Sequence, residues 1–386
     1  MLKSARIKKS WTPEFVSGKV GVSLTTYIRW ELGIQTPRNS SLDALCKIFE
    51  MSPEELGFSH IPRKIRPTYE KAISKQETSH ALNLRRHEEI APSETLTLWS
   101  MGIASCWQLY MVGGQVELER LLPTYQVNLT KPTLYPGPDQ KTAARLTAQV
   151  YQISALLELQ RGNFAVAQTH GTQALVYSQL AKDWNLYIAS QIRLAAIFSA
   201  RKRVGSALSA FNDALQRVNT RSDTISPILH SWIFTGLSEI QATMGRGKEA
   251  LHLLQLASAI FPEKPEDDSC NSYAQCDRSM LFLYEGLVFL RLGQPKLAWD
   301  AFAQIDNLKP APPERTRAEF LKQKAYTSFM LGNMVQTCVY LEAAVKAARD
   351  ISSDLAFSET YSIYEHMLAL WGQEARVRTL AKLFQK

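Results

Sequence analysis

No stretch of these 386 residues approaches eighteen consecutive apolar residues, which leaves nothing to span a membrane as a helix. The opening, Met1-Leu-Lys-Ser-Ala-Arg-Ile-Lys-Lys9, is basic but leads into no apolar segment, so no secretory signal is expected. Cysteine is scarce: Cys46, Cys106, Cys270, Cys276 and Cys338 are an odd number at wide spacings, with no CxxC. That excludes a disulfide framework and a zinc ribbon and points to a reducing cytoplasm. With 45% hydrophobic and 21% charged residues, the chain is too apolar to be disordered. Its length suggests two or three domains.

A catalytic constellation is missing as well. The histidines at 60, 80, 87, 170, 230, 252 and 366 form no ligand cluster, and His87-Glu88-Glu89 is not HExxH. Cys270 and Cys276 sit beside the acidic Pro265-Glu-Asp-Asp268 in one overlong loop, which reads as a variable loop rather than a metal site. Gly245-Arg-Gly-Lys248 lacks the glycine five before Gly247, the Ser or Thr after the lysine, and a preceding strand, so it is no phosphate-binding loop. No Ser–His–Asp set follows from spacing. Neither an enzyme nor a metal or cofactor protein is expected.

What is present begins with charge. The net charge is +8. Residues 1–92 hold 15 basic and 10 acidic groups, and residues 93–386 hold 29 and 26. A quarter of the chain carries most of the excess, which hints at an acidic polymer as partner. Residues 1–58 alone are only +2, so placement matters more than total.

Residues 1–58 break into short helical pieces with legible stops. Thr12-Pro13-Glu14 reads as N-cap, first helical residue and acidic first turn, followed by Phe15, Val16 and Val20 at helical spacing. Gly21-Val22-Ser23 is a tight turn with Ser23 as the next cap. A helix is predicted from Leu24 to about Leu32, stopped by Gly33, and another opens at Ser40 or Ser41. Ser52-Pro-Glu-Glu55 is a capping box. Helix, glycine turn, helix is the arrangement that lays a second helix in a DNA major groove. The set Gly21-Val22-Ser23, apolar Tyr27, Arg29-Trp30-Glu31-x-Gly33, Pro37 and the helix Leu42–Phe49 resembles the Cro/repressor (XRE) helix-turn-helix family over about residues 2–58.

The resemblance implies roles. Leu24, Thr25 and Arg29 should face the groove, with Ile28 beside them. Arg can hold guanine O6 and N7, and Leu or the Thr methyl can pack on a thymine methyl. Lys8, Lys19 and Arg38 should meet phosphates, giving affinity and salt dependence but no sequence choice. Arg6 and Glu31 match positions that pair the first and third helices. Tyr27, Trp30, Val20 and Leu45 are assigned to the core. One departure is Pro13, where the family has a phosphate-touching Gln: proline offers neither a side-chain donor nor an N–H. The competing reading is a bundle that only packs, with Arg29 on a solvated face.

Residues 59–92 carry Pro62, Pro67 and Pro92, with 7 basic and 4 acidic groups. They read as a basic linker or connecting helix. Arg63 and Lys64, with Arg66, either sit in solvent or add phosphate contacts beside the head.

The remainder is self-similar. Turns at Gly162, Gly245, Gly293, Gly332 and Gly372, and at Lys202 without a glycine, are each followed five residues later by a small or modest side chain: 167, 207, 250, 298, 337 and 377. The intervals are 40, 43, 48, 39 and 40. Seven positions before the turn come Ala155, Ala195, Ser238, Gly286 and Ala325, with Glu365 as the exception. Seven after the small residue come Ala174, Ala214, Ala257, Ile305, Ala344 and Phe384. Phe211, Leu254, Phe302 and Leu341 fill the gap between paired helices. This pattern resembles the tetratricopeptide (TPR) repeat with longer loops, and a degenerate first unit spans about Thr95–Tyr125 around Gly113-Gly114. Such arrays present a concave face to extended peptides or partner helices. In the family frame the exposed positions on that face are Gln149, Gln152, Arg193 (one step off the frame), Trp232, Thr235, Glu239, Lys322, Tyr326 and His366. They are either ordinary solvated residues of a repeat face or an effector groove.

The chain is thus expected to be all-α: a five-helix Cro-type head at 1–58, a connector at 59–92, and a TPR-like right-handed α-solenoid of six or seven helix pairs at 93–386. A Cro-type head joined to such an array resembles bacterial peptide-sensing regulators (the RRNPP group). The resemblance implies a cytoplasmic homodimer on double-stranded DNA, of bacterial, phage or plasmid type, whose array takes a peptide, small effector or protein partner. The rival is a TPR interaction scaffold whose helix-turn-helix serves docking or dimerisation.

Overall fold

The computed structural model describes residues 2–9, 11–31, 36–53, 55–56, 58, 92–220 and 224–385, without the side chains of residues 25, 29, 39, 92 and 93. The chain forms two compact units, Met1–Arg86 and His87–Lys386. The described residues form helices, two of them short 3-10 turns, and no strands. None of those helices is long and apolar enough to cross a membrane.

Local rules set the helices of the first unit: α1 (Leu2–Lys8), α2 (Pro13–Val20), α3 (Leu24–Glu31) and α4 (Asn39–Phe49). The Thr12 hydroxyl accepts from the Phe15 N–H at 3.3 Å, and Pro13 opens α2 where a missing N–H costs nothing. Gly21 closes α2 at φ 74°, the left-handed region where a side chain is strained. Ser23 then accepts from the Thr26 N–H at 3.2 Å to start α3. At Ser52 the capping box is reciprocal: the Glu55 N–H donates to the serine at 3.3 Å, and the Ser52 N–H donates to the Glu55 carboxylate at 2.7 Å. One start differs from expectation. Helix α4 begins at Asn39 behind an extended Arg38, because the Leu42 N–H reaches the Arg38 carbonyl at 2.8 Å and the ladder starts a residue early. Gly33 lies outside the described residues. Leu2, Val16, Tyr27, Trp30, Leu45, Phe49 and Leu56 form the core.

Arg6 ties α1 to α3. Its guanidinium donates to both Glu31 oxygens, at 2.6 and 3.1 Å, and to the Trp11 carbonyl at 2.8 Å. Burial alone would raise the Glu31 pKa, but these bonds from Arg6 outweigh it and hold the carboxyl below its ordinary 4.5. A depressed carboxyl contributes stability that is full above its unfolded value and is lost as pH falls through the folded one. Glu31→Gln should therefore destabilise the head by about 1–3 kcal/mol at neutral pH. The gap from wild type should close as pH falls below 4.5. Hydrogen exchange at head amides measures it, and a gap that stays constant down to about pH 3 would contradict the pairing.

In the second unit the order is α5 (Pro92–Val112), α6 (Gln115–Leu134), α7 (Gln140–Gln160), α8 (Phe164–Ala181), α9 (Trp184–Ala200), α10 (Val204–Thr220), α11 (Pro227–Thr243), α12 (Gly247–Ile260), α13 (Asn271–Ala274), α14 (Arg278–Arg291), α15 (Pro295–Asp306), α16 (Glu314–Met330), α17 (Met334–Asp350), α18 (Asp354–Trp371) and α19 (Ala375–Thr379). Apart from the insertion α13, these are seven hairpins. The column of small residues is the seam: Ala167, Ala207, Ala250, Ala298, Thr337 and Val377 are all fully buried. Gly286 shows why the seam must be small, since a Cβ there would lie 2.2 Å from the Phe302 ring. The turn glycines 162, 245, 293 and 332 adopt positive φ, and Lys202 takes the same conformation at φ 57°. Gly372 does not; its φ is −66°. The first hairpin is longer than expected, with α6 running through Pro123 and Pro132 to Leu134. Burial of Leu122, Leu129 and Thr133 and a 2.9 Å hydroxyl bond from Thr133 to Thr147 anchor it against α7.

The hairpins wind far enough for the first to meet the sixth and the second to meet the seventh. Arg315 Nε at the start of α16 donates to the Tyr110 carbonyl of α5 at 2.6 Å. The Ser353 hydroxyl, before α18, donates to Gln160 at the end of α7 at 2.6 Å. A Cβ on Gly113 would lie 3.0 Å from Ile351. The long loop after α12, read from the sequence as a variable loop, also turns inward. Cys270, Tyr273, Ala274 and Cys276 are buried in the main core. The Ser226 hydroxyl donates to the Asp268 carboxylate at 2.7 Å, and Asp268 accepts from the Cys270 N–H at 2.8 Å.

Candidate functional site

In the head, α3 buries Tyr27 and Trp30 and leaves Leu24 and Ile28, one turn apart, exposed. Thr25 and Arg29 belong to the same helix; their side chains lie outside the described set. Lys8, Lys19 and Arg38 are exposed. Lys19 lies over the Phe15 ring at 5.8 Å, and Arg38 holds the N-cap position of α4 with its side chain unused as a cap. Arg63 and Lys64 fall outside the described residues. The arrangement is a short exposed apolar ridge on a helix held by a capped glycine turn, with cations on the flanking helices. That is what a major-groove reader with phosphate anchors requires.

The second unit holds a partly open cavity of about 430 Å³ lined from α5, α7, α9, α10, α11, α13, α14, α16 and α18. Arg193, Trp232, Glu239 and Lys322 line it together; Gln149, Gln152, Thr235 and Tyr326 do not. Closure of the array and the inward loop explain the difference, since they cover positions that would be exposed in an open solenoid. Gln149 accepts from the Trp107 indole N–H at 3.1 Å. Gln152 is buried, donating to Ser190 at 2.6 Å, and Thr235 donates to its own helix at Trp232. Tyr326 packs with the C-terminal core.

Cations and carboxylates are unevenly matched in this cavity. Arg193 is 4% exposed, with its guanidinium over the rings of Trp107 and Trp232 at 4.6 and 5.2 Å. It donates to the Gln152 side chain and to the Tyr273 carbonyl. Burial pushes its pKa down to about 10, still charged at neutral pH. Arg291 meets Glu239 at 3.3 Å. Lys322 meets Glu319 at 2.7 Å and also bonds Glu359. Burial would lower Lys322, but the two carboxylates raise it above its ordinary value. Burial raises Glu239. Sequence reasoning missed Arg315, Arg291, Glu319 and Glu359. The first needs closure to reach α5. The other three sit about a helical turn from the repeat positions that mark the concave face.

Residues 2–56 match the family HTH_3: Helix-turn-helix. No curated protein matches the chain. Among solved structures, a Rap protein complexed with competence and sporulation factor is similar, at 14% identity over 76% of this chain and 86% of that one, with a TM-score of 0.47. The head is an XRE-type helix-turn-helix domain, the domain of a DNA-binding regulator, followed by a helical-repeat unit.

Proposed function

We propose that the chain is a sequence-specific transcription regulator, working as a cytoplasmic homodimer on double-stranded DNA. Its array takes a short peptide or small effector and alters DNA binding by the heads. The observation that carries the first half is the matched helix-turn-helix with Leu24 and Ile28 exposed on its second helix. The cavity with its buried charges supports the second half. Exposed Leu98 and Met101 on α5 and Val127 on α6 support self-association. Two-headed binding needs half-sites about one DNA turn, or a multiple, apart. The effector must bind two array conformations with different affinity.

Selection of genomic fragments by the purified protein, with and without cell-free culture extract, tests this reading. A set of sites with paired half-sites, shifted by the extract, is expected; no preference over competitor DNA would end the regulator reading. Leu24, Thr25, Ile28 and Arg29 read bases in this proposal, and Lys8, Lys19 and Arg38, with Arg63 and Lys64, meet phosphates. Arg29→Ala should lose about 1–3 kcal/mol of discrimination at one base pair. Arg38→Ala should weaken all sequences alike and reduce the salt slope by about 1. Identical behaviour of the two variants in salt-dependent binding would refute the division into readers and positioners.

A further inference from the structure

Every cation lining the cavity has a protein partner for a terminal nitrogen except one. Arg291 and Lys322 have carboxylates, and Arg193 has Gln152 and a carbonyl. Arg315 is 8% exposed, lies over the Tyr110 ring at 3.9 Å, and uses Nε on the Tyr110 carbonyl. Both of its terminal nitrogens are buried without a partner. A buried guanidinium whose fork has no partner is costly unless something satisfies it. The fork matches one planar carboxylate through two parallel hydrogen bonds. The N-terminus of α16, capped by no side chain, adds its positive end beside Arg315.

We propose that Arg315 is the anchor of a carboxylate-binding site in the array, the carboxylate belonging to a compact ligand with an apolar body. This deepens the effector reading above and rests on it for its biological meaning, not for the binding itself. The apolar body follows from Leu283, Leu287 and Leu355, which share the cavity with Arg315. A single charge follows from the three carboxylates Glu239, Glu319 and Glu359 in the same cavity, which disfavour a multiply charged anion. The volume of about 430 Å³ sits at the small end of the ~300–1,000 Å³ range of small-molecule sites. It has room for a small organic acid or the C-terminal end of a peptide. Arg315 also holds the seam between α5 and α16, and α5 follows the connector in sequence. A carboxylate on its fork therefore acts on the closure of the first hairpin against the sixth.

The test is thermal unfolding of the full chain with two matched pairs of probes. Benzoate against benzamide represents a small acid. N-acetyl-leucyl-phenylalanine against its C-terminal amide represents a peptide end. At least one acid should raise Tm by about 2–4 °C at saturation while its amide does not. Which acid does so identifies the source. Arg315→Gln should abolish the difference and Arg315→Lys should keep part of it. Three results would overturn the site: no shift with either acid, equal shifts with acid and amide, or an undiminished shift in folded Arg315→Gln. Inorganic phosphate shifting Tm where both acids fail would also overturn it. The acid–amide comparison in wild type holds even if the variants unfold. Acid binding at Arg315 with unchanged DNA affinity would sink the sensing reading and leave the site standing.

Discussion

Truncating Arg193 to alanine should cost the array about 3–5 kcal/mol, as large an effect as any single substitution in this chain. The side chain is the hub of the inner face. Its removal leaves the Gln152 carbonyl and the Tyr273 carbonyl facing no donor, and it opens a gap over the Trp107 and Trp232 rings. Tyr273 belongs to the loop after α12 and Trp107 to α5, so three distant parts of the chain come loose together. Arg193→Met, which keeps the volume and loses the donors, should fall between alanine and wild type. Urea unfolding followed by tryptophan fluorescence measures both. A loss below about 1 kcal/mol for Arg193→Ala would mean that the hub does not hold these parts.

Phe302→Ala should cost a similar amount, about 3–5 kcal/mol. The ring is fully buried in the fifth hairpin, covers Gly286 and meets Phe320 edge-on at 6.1 Å. The reverse change, Gly286→Ala, should cost about 1–3 kcal/mol by overpacking, since its Cβ has nowhere to go. The informative measurement is the double variant. Gly286→Ala with Phe302→Leu should be less damaging than the two single losses added, because the smaller side chain leaves room for the new methyl. Strict additivity in calorimetry would show that the helices of this hairpin separate rather than repack.

Both effects fall on residues that the sequence marks differently. Phe302 and Gly286 stand in repeat columns, so their burial against each other is readable from a period near forty. The same holds for Ala167, Ala207 and Ala250, where only a small side chain lets two helices touch. The caps at Thr12, Ser23 and Ser52 were equally readable, since each depends on residues within three positions. Lys202 shows the limit of composition: the turn conformation stayed although the glycine did not, because the surrounding hairpin dictates it. Arg193 was legible as a concave-face residue but not as a buried one. Its partners lie 41 and 80 positions away, and no local pattern encodes them.

The sequence alone determined the helix-turn-helix, with its capped turn and the Arg6–Glu31 tie, and the succession of hairpins. Local hydrogen bonds and helical periodicity act over a few residues, and a repeat copies them. Tertiary structure decided how tightly the hairpins wind. Small angles accumulate from pair to pair, and only their sum brings Tyr110 to Arg315 and Gln160 to Ser353. That sum turned an expected open groove into a cavity. It buried Gln152 and Thr235, drew the Cys270–Cys276 loop inward, and left one arginine fork buried without a partner.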